Sequence, residues 1–318
     1  MKLVRIVKNW SQPDIMRQTP GGLGIWGNIR FTQEAVPECD YLLFLNNLMQ
    51  VTVSAVCPAS HIWAIMQEPY FRGHSDWLIE KHDYFHKVFT HHPLLTPKYI
   101  TSHPALPWYI NKTYDQLVSE PPISKEKKIS WVVGNANDLP GHTRRYALLK
   151  ALQEDNGINI DLFGRAIKPI DDKWDALAPY QYSLAIENSS SLDYWTEKVA
   201  DCFLARAIPI YHGCLNLGDY FPKDSFIWLD IDNPTNSIRD IKKILAKDNP
   251  IKRLSALEEA RDMVLNRYQL FPFIADKVSQ ESNSPANRQL VTIPPYRRSV
   301  KAIINHRVYK LKKSLNMY

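Results

Sequence analysis

At 318 residues, with 45% hydrophobic content and nine tryptophans, the chain holds enough apolar material for two cores of ordinary domain size. Its opening run, MKLVRIVKNW, is too short an apolar stretch for a signal peptide, and nothing in the sequence approaches the roughly 20 apolar residues that span a bilayer, so a cytoplasmic protein is expected. The net charge of +6 is concentrated: seven basic and no acidic residues fall between Val291 and Tyr318, and the near-neutral remainder offers no basic stripe of the kind that tracks nucleic acid.

Short apolar runs alternating with helical patterns predict an α/β protein of two domains. In the first, strands are expected at Leu3 to Val7, Tyr41 to Leu45, Ile62 to Met66 and Val88 to Thr90. The segment EPPISKEKK, Glu120 to Lys128, joins two prolines to a charge run, the composition of an exposed linker. The boundary is placed there, with residues 1–124 as one domain and 125–278 as the next. The second domain supplies strands at Ile129 to Val133, Ile158 to Phe163, Tyr182 to Ile186, Ala207 to Tyr211 and Phe226 to Ile231. Helices are expected at Arg144 to Glu154, Trp195 to Arg206, Ser237 to Ala246 and Ile251 to Tyr268. Residues 279–318 read as a connector, Ser279 to Pro295, followed by a basic amphipathic helix whose Val300, Ile303, Ile304, Val308, Leu311 and Leu315 recur at helical spacing. Such a helix suits an anionic membrane surface, reached through residues 296–318 at the cytoplasmic face; it equally suits docking on the protein with a solvated basic face. Cys39, Cys57, Cys202 and Cys214 lack CxxC spacing, which argues for four buried or semi-buried thiols rather than zinc or a disulfide framework.

The run Tyr180 to Gly213, YQYSLAIENSSSLDYWTEKVADCFLARAIPIYHG, carries the most chemistry. It reads as a buried strand, a polar loop from Glu187 to Ser191, a helix capped by Asp193 or Thr196, and a second strand. A helix N-terminus after a strand attracts anions through its free N–H groups and dipole. Lys198 in that first turn opposes the dipole, so either an anion neutralises it or it points to solvent. No GxGxxG or Walker A sequence is present, which removes support for dinucleotide dehydrogenases and P-loop enzymes. Asp171 with Asp172, and Asp230 with Asp232, read as solvated loop acids rather than a metal site.

ENS followed by DYWTEK, then AIPIYHG and FPKDSFIWLDI, resembles the nucleotide-sugar half of glycosyltransferase family 10, the α-1,3/4-fucosyltransferases. The likeness extends over Ser130 to Asp232, including VVGN at Val132 to Asn135, the arginine Arg144 before a helix, and DLFGRA at Asp161 to Ala166. The sequence departs from the family at Ile186, where Phe is common, and at Trp195, where Val or Ile is common. In the N-terminal third the resemblance is confined to MQEP, Met66 to Pro69, and VFTHH, Val88 to His92.

The resemblance implies a GT-B fold, two Rossmann-like domains facing across a cleft, and inverting transfer of L-fucose from GDP-β-L-fucose to a hydroxyl of an acceptor glycan, in α-1,3 or α-1,4 linkage. It implies Arg144 and Lys198 on the diphosphate, Asn188 and Tyr194 as donor contacts, Glu197 as acceptor of ribose hydroxyls, and Glu68 as catalytic base; His142 and Arg145, which flank Arg144, are candidates to supplement the anion site. No cofactor is expected, because cationic side chains and helix N-termini serve in place of a divalent ion. Glu187 can equally be structural, anchoring its loop to backbone N–H groups. His91 and His92 are the alternative to Glu68 as base; adjacent on an extended segment, they are expected to face opposite ways, so that at most one faces the cleft. Tyr70, Phe71, Trp77, Trp108 and Tyr109 are candidates for a sugar-stacking wall or for core. A GT-B transferase for another nucleotide sugar and a non-catalytic, membrane-associated nucleotide-binding protein are the rival readings.

Overall fold

The structure, a computed structural model, describes residues 1–134, 139–281 and 287–315. Asn135 of the VVGN run, five residues of the connector and the last three of the tail lie outside the described residues. The chain divides into two compact units, Met1–Ala105 with Leu270–Tyr318, and Leu106–Gln269.

The first unit contains β1 (Lys2–Val7), β2 (Ile25–Trp26), β3 (Ile29–Thr32), β4 (Tyr41–Leu45), β5 (Val53–Pro58), β6 (Ile62–Ile65), β7 (Lys87–Thr90) and β8 (Tyr99–Thr101). The second contains α1 (Tyr114–Ser119), β9 (Lys127–Val132), α2 (Pro140–Glu154), β10 (Asp161–Phe163), β11 (Tyr180–Ile186), α3 (Glu197–Leu204), β12 (Ile208–His212), β13 (Ile227–Trp228), α4 (Pro234–Lys247) and α5 (Leu254–Met263). The chain then returns to the first unit as α6 (Leu270–Ser279), β14 (Arg288–Ile293) and α7 (Val300–Ser314).

The first sheet has the order β2-β3-β1-β4-β6-β7-β8, parallel throughout except for the antiparallel edge strand β2. Every residue of β4 and β6 is buried, as strands covered on both faces require. Alternation sorts their side chains. Leu43, Leu45, Trp63, Ile65 and Phe89 point to one face, where Phe271, Phe273 and Ile274 of α6 cover them; Leu42, Phe44, Ala64 and Val88 fill the other with Phe85. β14 pairs antiparallel with β5 in a separate ladder.

The second sheet, β10-β9-β11-β12-β13, is wholly parallel, and the β11–α3–β12 crossover is the βαβ unit expected from the sequence. Its core includes Trp108, Ile110, Leu117, Trp131, Leu148, Leu184, Val199 and Phe203.

These cores move the boundaries. The division falls at 105/106 and 269/270 rather than at 124/125 and 278/279. Trp108, Ile110 and Leu117 bury their side chains in the second core before the Pro-rich segment is reached, and that segment leads directly into β9. Likewise α6 belongs to the first unit rather than to the second domain, because it closes the first sheet's face, and residues 288–293 of the expected connector form a strand paired with β5. All four cysteines are free and buried.

Candidate active site

In the second sheet, β9 connects to β10 on one side while β11 lies on the other, so the strand order reverses between β9 and β11. The carboxyl ends of two such strands leave a crevice that no crossover fills, the usual ligand position in open α/β sheets. Glu187 and Asn188 follow β11 there, and Arg145 enters from α2. The Arg145 Nη1 donates to Asn188 Oδ1 at 2.6 Å, and its Nη2 lies beside Gly134 at the end of β9. Close approach is built in: a Cβ on Gly141, in the first turn of α2, would overlap the Asn188 backbone.

Glu187 is the fully buried hub of this crevice. Its carboxylate accepts the Thr196 N–H at 2.8 Å and the Thr196 hydroxyl at 2.7 Å, so it holds the N-cap residue of α3. Lys198 Nζ sits 3.4 Å from Glu187 Oε2 and 3.1 Å from Glu197 Oε1. A side chain at position 213 would collide with Glu187 and the Tyr211 hydroxyl, and Gly213 has φ +155°. The structural role considered for Glu187 is the one observed. The conflict between Lys198 and the helix dipole is resolved inside the protein, by two carboxylates, rather than by solvent.

A second pair supports the first. Lys173 Nζ meets the fully buried Asp201 of α3 at 2.7 Å, and Asp201 also accepts the Tyr109 N–H at 3.1 Å. Burial pushes the Glu187 carboxyl above the usual carboxylate range, against the pull of Lys198. Burial acts the same way on Glu197, but Lys198 and then Lys173 outweigh it and hold this carboxyl below its usual value. Lys198, opposed by burial, is held more strongly protonated than usual by Glu197 and Glu187. Burial lowers the Arg145 pKa, with Glu187 and Glu197 opposing the shift, and Tyr194 is close enough to contribute. Tyr194 itself is buried.

Arg145, Asn188, Tyr194, Glu197 and Lys198 are thus brought together. Arg144 is not part of this group: its half-exposed side chain reaches Asp232, 2.9 Å away, beyond β13. The two arginines lie about 100° apart on α2. Arg145 shares its face with the buried Leu148, Leu149 and Leu152, a signal that the sequence contained. Trp195 belongs to the core, edge-on to Tyr220, Phe221 and Tyr268. Among the described residues no group of three or more His, Cys, Asp or Glu side chains gathers as a metal site. Asp172 caps a short turn through Trp174 N, and Asp230 accepts the Asp232 N–H.

In the first unit Glu68 is exposed beyond the carboxyl end of β6. Its neighbour Gln67 donates N–H to Asn46 Oδ1, past β4, at 2.8 Å. His91 and His92 do not face opposite ways. β7 ends at Thr90, so the alternation stops before them, and their buried rings lie 4.1 Å apart. Burial holds His91 well below its usual pKa and His92 at about 4, so both are neutral near pH 7. The candidate aromatic wall is divided: Trp108 and Tyr109 belong to the second unit, while Tyr70 and Trp77 pack against a first-unit core. A cavity of about 330 Å³ opens at the carboxyl ends of β1 and β4, where the first sheet's order also reverses; Lys8, Trp10, Asn46 and Gln50 are among its lining residues.

Residues 122–251 match the model of the C-terminal region of glycosyltransferase family 10 (fucosyltransferase). The human 4-galactosyl-N-acetylglucosaminide 3-alpha-L-fucosyltransferase 9 is 32% identical over 148 residues, 45% of this chain and 40% of that protein. The rat alpha-(1,3)-fucosyltransferase 4 is 33% identical over 118 residues, 35% of this chain and 26% of its own length. The matches therefore span less than half of these relatives. In fold, the chain is similar to an alpha1,3-fucosyltransferase solved with GDP-fucose, with a TM-score of 0.51 at 17% identity, covering 90% of this chain and 92% of that one. A second alpha1,3-fucosyltransferase structure has a TM-score of 0.50 at 16% identity, covering 86% and 93%. The fold is of the α/β, GT-B class. Residues 122–251, the stretch that holds Arg145, Asn188, Tyr194, Glu197 and Lys198, are thus similar to the C-terminal region of glycosyltransferase family 10 (fucosyltransferase).

Proposed function

We propose that this chain transfers L-fucose from GDP-β-L-fucose to a hydroxyl of an acceptor glycan, with inversion at the anomeric carbon and an α-1,3 or α-1,4 linkage in the product. The observation that carries the reading is the convergence of Arg145, Asn188, Tyr194, Glu197 and Lys198 on the crevice between β9 and β11, within the family-matched residues.

In this reaction the acceptor oxygen attacks the anomeric carbon, the bond to the β-phosphate oxygen breaks, and GDP departs with its electron pair. The hydroxyl proton passes to the Glu68 carboxylate, the catalytic base in this reading. Lys198 and Arg145 stabilise the charge that develops on the leaving diphosphate, and the arginine fork suits its oxygens. Glu197 accepts hydrogen bonds from the ribose, while Asn188 and Tyr194 orient the donor. The carboxylate pairs on Lys198 fix its position before the donor arrives, so little reorganisation accompanies departure of GDP. Arg144, paired with Asp232, stays at the rim. With these cations on the diphosphate the reaction needs no divalent ion.

The test is GDP release from a panel of nucleotide sugars, with and without N-acetyllactosamine-type acceptors, in EDTA. Release from GDP-fucose, raised by acceptor, is expected. Release from another donor alone would replace the fucose assignment. GDP binding without turnover on any donor and acceptor pair would replace the enzyme by a nucleotide-binding protein.

A further inference from the structure

The C-terminal helix α7 is oriented by specific contacts within the first unit. Ser299 caps it, accepting from Ala302 N at 3.1 Å, and donates to Glu80, which also accepts the Tyr296 hydroxyl at 2.8 Å. Asn305 Nδ2 donates to Asp76 Oδ2 at 2.7 Å, and His306 Nδ1 lies 3.2 Å from the Gly73 carbonyl oxygen. Ala302 and Tyr309 are buried, and Gly73 leaves room for the helix: a Cβ there would come within 2.9 Å of the Asn305 oxygen. At 3.6 residues per turn, Ala302, Asn305, His306 and Tyr309 form one face, and that face is docked.

The apolar stripe read from the sequence is on the other side. Val300, Ile304, Val308, Leu311 and Leu315 lie opposite the docked face, with Ile303 at their edge, and their exposure runs from 41% at Ile303 to 73% at Val300. Docking has therefore consumed the face with an asparagine and a histidine and left the aliphatic face in solvent. Arg307 and Lys310 border this arc on one side, Lys301 and Lys312 on the other. The carboxylates that α7 engages, Asp76 and Glu80, are on its docked side.

We infer that α7 is an interfacial helix whose outward face, Val300, Ile304, Val308, Leu311 and Leu315, inserts into an anionic lipid membrane surface. An aliphatic strip bordered by long cationic side chains is the pattern of a helix lying in the membrane plane, its aliphatic groups below the headgroups and its cations among them. Charge complementarity selects the partner. A second copy applied to the same face would bring two basic borders together, which like-charge repulsion disfavours, whereas anionic headgroups neutralise them. The contacts to Asp76, Glu80 and Gly73 hold the first unit in a fixed orientation to the membrane plane. No helix among the described residues is long and apolar enough to cross a membrane.

The inference stands apart from the transferase reading and is tested without activity. The full chain is sedimented with vesicles of equal parts phosphatidylglycerol and phosphatidylcholine, and with vesicles of phosphatidylcholine alone. Binding to the anionic vesicles, weakened by salt, is expected. Ile304→Ser with Leu311→Ser, both at exposed positions, should reduce partitioning more than about tenfold without altering thermal unfolding. Arg307→Gln with Lys310→Gln and Lys312→Gln should remove the preference for anionic lipid. No partitioning, equal partitioning onto neutral vesicles, or full binding by the serine variant would overturn the inference. So would a concentration-dependent dimer that the serine variant abolishes.

Discussion

At the carboxyl ends of β9 and β11 charged side chains are buried, whereas at those of β6 and β7 the titratable side chains are two buried neutral histidines and an exposed glutamate. In the second unit Arg145, Lys173 and Lys198 are matched by Glu187, Glu197 and Asp201, and removing any member strands a partner away from water. Immediately beyond β6 and β7 the buried titratable groups are histidines that have shed their charge, and the carboxylate proposed to move a proton stays in contact with solvent. A donor site that must hold a diphosphate before reaction gains from fixed charge; a base gains from an environment in which both protonation states are tolerable.

The largest expected effect comes from breaking the charged side of this contrast. Lys198→Ala should lower GDP affinity and turnover by at least about a hundredfold and destabilise the chain by about 3 kcal/mol, since two carboxylates lose their shared cation. Adding Glu187→Gln to that variant should recover part of the stability, measured by urea unfolding, and none of the GDP binding. Equal stability of both variants and wild type would show that the pairs carry no structural weight. On the neutral side, Glu68→Gln should cut turnover about a hundredfold or more while GDP affinity and unfolding midpoint stay unchanged. Near-normal turnover would place the base elsewhere.

Gly141→Ala probes how the crevice is closed. The added methyl meets the Asn188 backbone, so a loss of about 1–3 kcal/mol with weaker GDP binding is expected; a neutral variant would mean that α2 does not define the site. Acidification should separate the two units. His82 and His92 are held at about 4 and His91 is lowered too, each mainly by burial, against about 6.5 in the unfolded chain. Their stabilisation is present above pH 6.5 and lost as the unfolded state takes up protons between there and about pH 4. Amide protection factors, taken relative to the intrinsic exchange rate at each pH, should therefore fall in β7 between pH 7 and pH 5 more than in β11, and His92→Gln should reduce that difference. The smallest effect is expected at Arg144→Ala, within about 0.5 kcal/mol in stability, as for an exposed ion pair, with little change in GDP affinity. Arg145→Ala should weaken GDP binding strongly, and the reverse ranking would restore Arg144 as the diphosphate arginine.

Sequence alone was sufficient for the β11–α3–β12 unit, because strand, loop and helix are contiguous there and an apolar period marks each element, whereas singling out Asn188, Tyr194, Glu197 and Lys198 as donor contacts rests on the family resemblance and is a proposal. The same locality made β4 and β6 legible as continuous apolar runs. It could not choose between Arg144 and Arg145, since adjacent helix positions differ only in which face the fold buries. It could not place the domain boundary, because Trp108 and α6 join their cores through contacts far along the chain. Nor could it orient α7: periodicity finds an aliphatic stripe, but whether that stripe meets protein or solvent depends on Asp76, Glu80 and Gly73, more than two hundred residues away, which bind the opposite face. Local pattern determined the elements and the chemistry they carry, and long-range burial decided which side of each element that chemistry faces.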